Sequence, residues 1–217
     1  RRPVAERNVS WALLTFQNHP LTDAGIGLVR GNAEVSRKNF AAFFADDDEG
    51  RSRRARLDQV IGVQRMEWQA HDLELGFHYE HGAVVRDETF APPRDPMGGR
   101  YVPVTRPGHR LPHARIAKDG RELSTLDLAE KGNFVLITGC RAEAWRQAAI
   151  QIAGSEGIRL VTVRIGDEGD YRDPHRDWLS LRDIGEDGAI LVRPDNHVAW
   201  RSRTGHPDAV GVLSDAF

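Results

Sequence analysis

One thiol, a set of histidines and a glycine-rich stretch are the parts of this 217-residue chain whose chemistry invites a functional reading. Cys140 follows the apolar run Phe134-Val135-Leu136-Ile137-Thr138 and precedes a helical segment, which puts it at a strand-to-helix corner. A helix N-terminus lowers a thiol's pKa and favours a reactive thiolate. A dithiol oxidoreductase also needs a second cysteine three residues on. Glu143 holds that place, its carboxylate disfavours a neighbouring thiolate, and Cys140 is the sole cysteine. The proline that would pack on the sulfur, just before the first strand of the later hairpin, is Gly188. The expectation is a half-buried thiol without redox chemistry.

Gly25-Ile26-Gly27-Leu28-Val29-Arg30-Gly31 resembles a dinucleotide fingerprint only superficially. Its spacing is off by one, and Asn18-His19-Pro20 precedes it where a strand should be, so a loop is expected. Nine histidines raise a metal question. His109 and His113 stand four apart among Pro107, Gly108 and Pro112, where helical geometry is not expected; His71, His78 and His81 form a second group. Neither has cysteine support or a metal-ligand motif, so no metal site is expected. Arg51, Arg53, Arg54 and Arg56 follow Asp46-Asp47-Asp48-Glu49 and read as a solvated, locally neutralised helix face without base-reading or stacking residues. Asp127, Asp170, Asp173 and Asp177 are scattered over loops, with no spacing that pairs carboxylates for acid–base work. On the residues alone no catalytic, cofactor-binding or metal site is expected in this chain.

The elements that would position these residues fall into two styles. Ala5, Val9, Ala12, Leu13 and Phe16 recur at helical spacing, with Trp11 and Leu14 widening the apolar surface, and predict a helix over 4–16 that Pro20 to Gly31 interrupts. A second helix is expected over 33–45 with Phe40, Phe43 and Phe44 inward. A third, over about 51–73, has an inner face of Leu57, Val60, Ile61, Gln64, Trp68 and Leu75. Residues 76–80 and 83–85 read as two short strands. Pro92, Pro93, Pro96, Pro103, Pro107 and Pro112, with Gly98, Gly99 and Gly108, then mark a long extended connection and a domain junction. Beyond it, a buried strand at 134–138, a helix at 141–153 with Ala142, Trp145, Ala148, Ala149 and Ile152 inward, and a strand at 158–165 form a βαβ unit. Ala189-Ile190-Leu191-Val192 and His197-Val198-Ala199-Trp200 flank Pro194-Asp195-Asn196 as a hairpin. This order, with a closing helix, is the thioredoxin-like arrangement.

Composition sets outer bounds. At 40% hydrophobic and 29% charged residues the chain is ordinary for a globular protein. A net charge of −2 argues against nucleic-acid or anionic-membrane binding by electrostatics. No apolar run approaches the ~18 residues of a membrane span, and a single cysteine fits a reducing cytoplasm.

Several stretches in order resemble the C-terminal region of FAD-dependent aromatic-ring monooxygenases, of the 2,4-dichlorophenol 6-monooxygenase and phenol hydroxylase type. They are Arg1-Arg2-Pro3-Val4-Ala5; Leu75-Gly76-Phe77-His78-Tyr79-Glu80 with Gly82-Ala83-Val84-Val85; and, most distinctive, Tyr101-Val102-Pro103-Val104-Thr105-Arg106-Pro107-Gly108-His109-Arg110-Leu111-Pro112-His113-Ala114. Ser124-Thr125-Leu126-Asp127-Leu128, Phe134 to Gly139, Leu191-Val192-Arg193-Pro194-Asp195 and His197-Val198-Ala199-Trp200-Arg201 complete the set. The resemblance implies an α/β chain with a helical tail of the flavin domain over 1–74, an extended connector with short strands over 75–114 and a thioredoxin-like domain over 115–217. It implies a longer parent that uses FAD and NAD(P)H to hydroxylate a phenol-like ring, with an N-terminal flavin domain as intramolecular partner and a homodimeric state. The glycine-rich loop, Asp-Gly and Gly-Asp motifs that hold the flavin would lie upstream, so this chain alone is expected to be inactive, its part being stability and subunit contact. A stand-alone, redox-inactive interaction module is the competing expectation, and a redox protein using Cys140 with an external thiol a third.

Overall fold

The computed structural model describes residues 2–96, 98–129 and 132–217. Arg1 and the side chains of Pro3, Val4 and Leu14, on which part of the sequence reading rests, lie outside that set. The chain divides into two compact units, Arg1–Glu74 with Arg94–Tyr101, and Leu75–Pro93 with Val102–Phe217.

The first unit is helical: α1 (Arg2–Gly25), α2 (Ala33–Phe43), α3 (Asp48–Trp68) and the single turn α4 (His71–Glu74). α1 and α2 both pack on α3. Contrary to the expected break after residue 16, α1 runs through Pro20. A proline inside a helix removes one backbone bond, but Pro20 lies on the exposed side, and contacts with α3 hold the turn beyond it. The Gln64 amide there donates to the Thr22 hydroxyl at 3.0 Å. The helix stops at Gly25, and Gly27 beyond it turns the chain at a φ of +86°, a region that favours glycine. Asn32 caps α2 by accepting the Val35 N–H, and Asp47 caps α3 by accepting the Gly50 N–H at 2.7 Å. The helix therefore begins inside the acidic run, earlier than expected, with Asp48 and Glu49 in its first turn complementing its dipole. Phe40, Phe44, Ile61 and Trp68, expected to face inward, are exposed. Helical spacing identifies an apolar face but not the body that covers it, and among the described residues none buries these four.

The second unit is built on a four-stranded mixed sheet, in the order β4-β3-β5-β6: β3 (Phe134–Thr138), β4 (Leu160–Arg164), β5 (Ala189–Val192) and β6 (Val198–Ser202). β3 pairs parallel with β4 and antiparallel with β5, and β5 pairs antiparallel with β6. α5 (Glu143–Glu156) makes the β3–β4 crossover; α6 (Asp177–Leu181) and α7 (Ala209–Ser214) follow later. The expected βαβ unit, hairpin and closing helix are all present. Strand alternation splits the core in two: Val135, Ile137, Ile190 and Val192 face one cluster with Trp178, while Leu136 and Leu191 face another with Trp145 and Trp200. Trp145 is fully buried, packs edge-on against Trp200 at 5.0 Å and donates to the Thr204 carbonyl.

Two local readings need correction. The strands expected at 76–80 and 83–85 do not form; His78 makes a single isolated bridge with His109. Instead β1 (Arg115–Lys118) and β2 (Arg121–Ser124) form a hairpin turned by Asp119 and Gly120, both at positive φ, a two-residue signal the sequence carries plainly. The proline-rich connection has no helix or strand among its described residues, yet part of it belongs to the sheet. Val85 N donates to Ala199 O, Gly108 N to Val198 O, Val198 N to His109 O and Leu111 N to Asn196 O, at 2.8–2.9 Å. It thereby covers the outer edge of β6, which would otherwise present unpaired backbone groups.

Candidate functional site

Cys140 lies in the turn between β3 and α5 and is half-buried. Its N–H donates to the Glu186 carboxylate at 3.1 Å. Glu186 also accepts from Arg182 at 2.5 Å, and that bond outweighs burial in holding its carboxyl below the ordinary range. Glu143 is occupied with Gln147 and Arg146 on the α5 surface. A Cβ on Gly188 would lie 2.5 Å from the Arg203 carbonyl, so that position admits no proline ring.

The histidines regroup. The structure takes one from each expected set and stacks His78 on His109, ring centroids 4.4 Å apart and nearly parallel. His78 Nε2 contacts Glu80 at 2.6 Å. His109 is pushed down to about 4 by burial first, then by the neighbouring His78 and Arg106. His197, also lowered by burial, bonds the Asp195 carbonyl through Nδ1 and lies beside Phe77 and Tyr79. His113 meets the Ser124 hydroxyl at 2.8 Å, while His71 and His81 are exposed. Among the described residues no three His, Cys, Asp or Glu side chains come together in a metal-binding group.

The remaining candidates are spent on the fold. Gly25 to Gly31 closes a helix instead of following a strand. Arg54 donates to the Phe43 and Ala45 carbonyls that end α2, and Arg53 and Arg51 pair with Glu49 and Asp48. Asp127 completes a capping box with Ser124. Asp173 accepts the Trp178 and Leu179 N–H groups, and Asp170 and Asp177 pair with Arg164 and Arg115. In the first unit a groove of about 570 Å³ runs between α1 and α3, with His19, the Asp23–Arg30 ion pair, Gln64 and the exposed Trp68 along it.

One cluster escaped the sequence reading. Arg201 on β6, its side chain 2% exposed, donates to Asp87 at 2.5 Å, Asp183 at 2.7 Å, Thr105 at 3.1 Å and Thr89 at 3.2 Å. Burial works to raise the Asp87 pKa, but hydrogen bonds from Thr89 and Arg201 prevail and hold it low. The available signal was an arginine directly after the apolar run Val198-Ala199-Trp200, a buried charge that needs carboxylate partners.

Residues 104–217 match the family model for the aromatic-ring hydroxylase C-terminal region. This chain belongs to that family. It is 36% identical to the phenol 2-monooxygenase of Pseudomonas sp. (strain EST1001), covering 100% of this chain and 36% of the relative. The 2,4-dichlorophenol 6-monooxygenase of Cupriavidus pinatubonensis (strain JMP 134 / LMG 1197) is 34% identical, again over 100% of the chain and 37% of its own length. Among solved structures, the flavin-dependent monooxygenase PieE in complex with FAD and substrate superposes with a TM-score of 0.84 at 36% identity, covering 99% of this chain and 38% of that one. The aromatic-ring hydroxylase chain described here thus spans little more than a third of the length of these relatives. Among its described residues no helix is long and apolar enough to cross a membrane.

Proposed function

We propose that this chain is the C-terminal portion of an FAD- and NAD(P)H-dependent monooxygenase that hydroxylates a phenol-like aromatic compound. In this reading 1–74 is the helical tail of the flavin-bearing domain, 75–114 the connector and 115–217 an appended, thioredoxin-like domain without a dithiol. The observation that carries the reading is the 36% identity to a phenol 2-monooxygenase across 100% of the chain. The local geometry supports a scaffolding part in that enzyme, in stability and domain or subunit contact: the thiol corner is disarmed, the glycine-rich stretch ends a helix, and the exposed apolar face of α2 and α3 needs a cover. FAD, when bound, would supply the oxygen-transfer chemistry; these residues would hold the scaffold to the flavin-bearing part.

The test uses the full-length protein. It is expected to purify yellow, to oxidise NADH or NADPH in the presence of a phenol and to release a catechol-type product. The Cys140→Ser variant is expected to keep the same turnover within about twofold, since no step passes through the sulfur. A full-length protein that holds no flavin, or a Cys140→Ser variant that loses turnover while retaining flavin, would refute the assignment.

A further inference from the structure

Phe90 is the most exposed large hydrophobic residue described, at 96%. Single exposed apolar side chains are common and need no explanation. What sets this one apart is how firmly its base is held. Thr89, the residue before it, donates its N–H to Asp87 at 3.0 Å and its hydroxyl to the same carboxylate, and its carbonyl accepts from Arg106 at 2.8 Å. The Thr89 hydroxyl also accepts from Arg201, the buried arginine of β6. On the other side, Ala91 is followed by Pro92 and Pro93, whose rings fix their own backbone angles. Four hydrogen bonds and two prolines therefore present a phenyl ring to solvent on an arch that cannot relax inward.

We propose that Phe90 is the anchor by which this portion docks on the flavin-bearing part of the same polypeptide, and that the Arg201 cluster exists to preset it. This rests on the reading under Proposed function and names the contact within it. Two observations favour that occupant. The matched family model is a C-terminal one, and the relatives are nearly three times as long, so in them most of the polypeptide able to cover such a ring lies outside the matched region. The arch also lies at Leu75–Pro93, the end of the second unit from which the chain passes back to residues of the first. Aromatic side chains bury roughly 150–250 Å² and dominate contacts when they enter a pocket. A backbone already held at Thr89 loses little further freedom on docking, so only the ring's own rotamers remain to be fixed.

The experiment compares the full-length wild type with Phe90→Ser and Phe90→Leu. Thermal release of flavin is followed by its fluorescence, and protease cleavage within 86–101 is timed. Phe90→Ser is expected to lower the release midpoint by about 5 °C and to speed cleavage roughly tenfold, while Phe90→Leu restores most of both. Because the ring is outside every core cluster, this chain's own packing is untouched by either change. A yellow, active Phe90→Ser protein with wild-type midpoint and cleavage overturns the docking inference alone. So does a variant that falls from dimer to monomer in sedimentation with an unchanged midpoint, which would assign the ring to a second copy. A colourless wild type overturns both this inference and the reading beneath it.

Discussion

Arg201 sits among Val198, Ala199 and Trp200, all buried, and its guanidinium meets two carboxylates and two hydroxyls with almost no water. Burying such a charge is costly, and its partners offset that cost only while all are present. Arg201→Met should leave the part-buried Asp87 without its ion-pair partner, while the half-exposed Asp183 keeps Arg203 at 2.7 Å, and cost about 3 kcal/mol, read as a lower urea midpoint with an unchanged slope. A loss under about 1 kcal/mol would show that the cluster is dispensable. His109 gives a second residue-scale prediction. Its folded pKa of about 4 lies below the ordinary 6.5, so the unfolded chain binds the extra proton first. Stability from keeping it neutral is complete above pH 6.5 and is lost as pH falls from there towards 4, at up to about 1.4 kcal/mol per pH unit. His197, lowered in the same direction, steepens that window, whereas Asp87, Asp195 and Glu186 act only at lower pH because their pKa values are depressed below the carboxylate range. Denaturation curves between pH 7 and 4.5 should show this slope, flattened in His109→Gln.

At the scale of elements, the extended connection acts as a cover strand whose geometry depends on Gly108. Its φ is +88°, and a Cβ there would stand 2.1 Å from the Tyr79 carbonyl. Gly108→Ala should cost about 3 kcal/mol or more and free the Val198 and Leu111 amides for exchange with solvent. Wild-type exchange at those two amides would rule out this account of the cover. This element also shows what sequence reasoning can reach. The β3–α5–β4 unit and the β5–β6 hairpin were legible because long apolar periods and a Pro-Asp-Asn turn carry them locally. Asp119-Gly120 is an equally local signal, a two-residue hairpin turn. Pro20 misled because a proline on an exposed helix face loses only one bond, less than packing against α3 returns. The edge cover and the Arg201 cluster join residues about a hundred positions apart, as Asp87 and Arg201 do, and no local pattern records such a pairing. The regrouping of His78 with His109 belongs to the same class.

For the whole molecule, the two units differ in what they can bury unaided. The second holds two apolar clusters around a sheet with both faces covered and β6 edged. The first has no buried residue at all in α2, and Phe40, Phe44, Ile61 and Trp68 stay open to water. Local opening free energy follows the apolar contacts an element makes, so stability in this chain should be unequal. Amide exchange of the isolated chain should find β3 and β5 slowest and α2 faster by roughly 10³ or more, which corresponds to about 4 kcal/mol at 25 °C. In the full-length protein the flavin-bearing part should cover α2 and α3, slow their amides towards those of the sheet, and abolish binding of an apolar dye that the isolated chain takes up. The sheet amides should change little between the two preparations, since their partners are already present. If α2 proves as protected alone as in the full-length protein, its apolar face has no docking role, and scaffolding would have to be carried by the second unit.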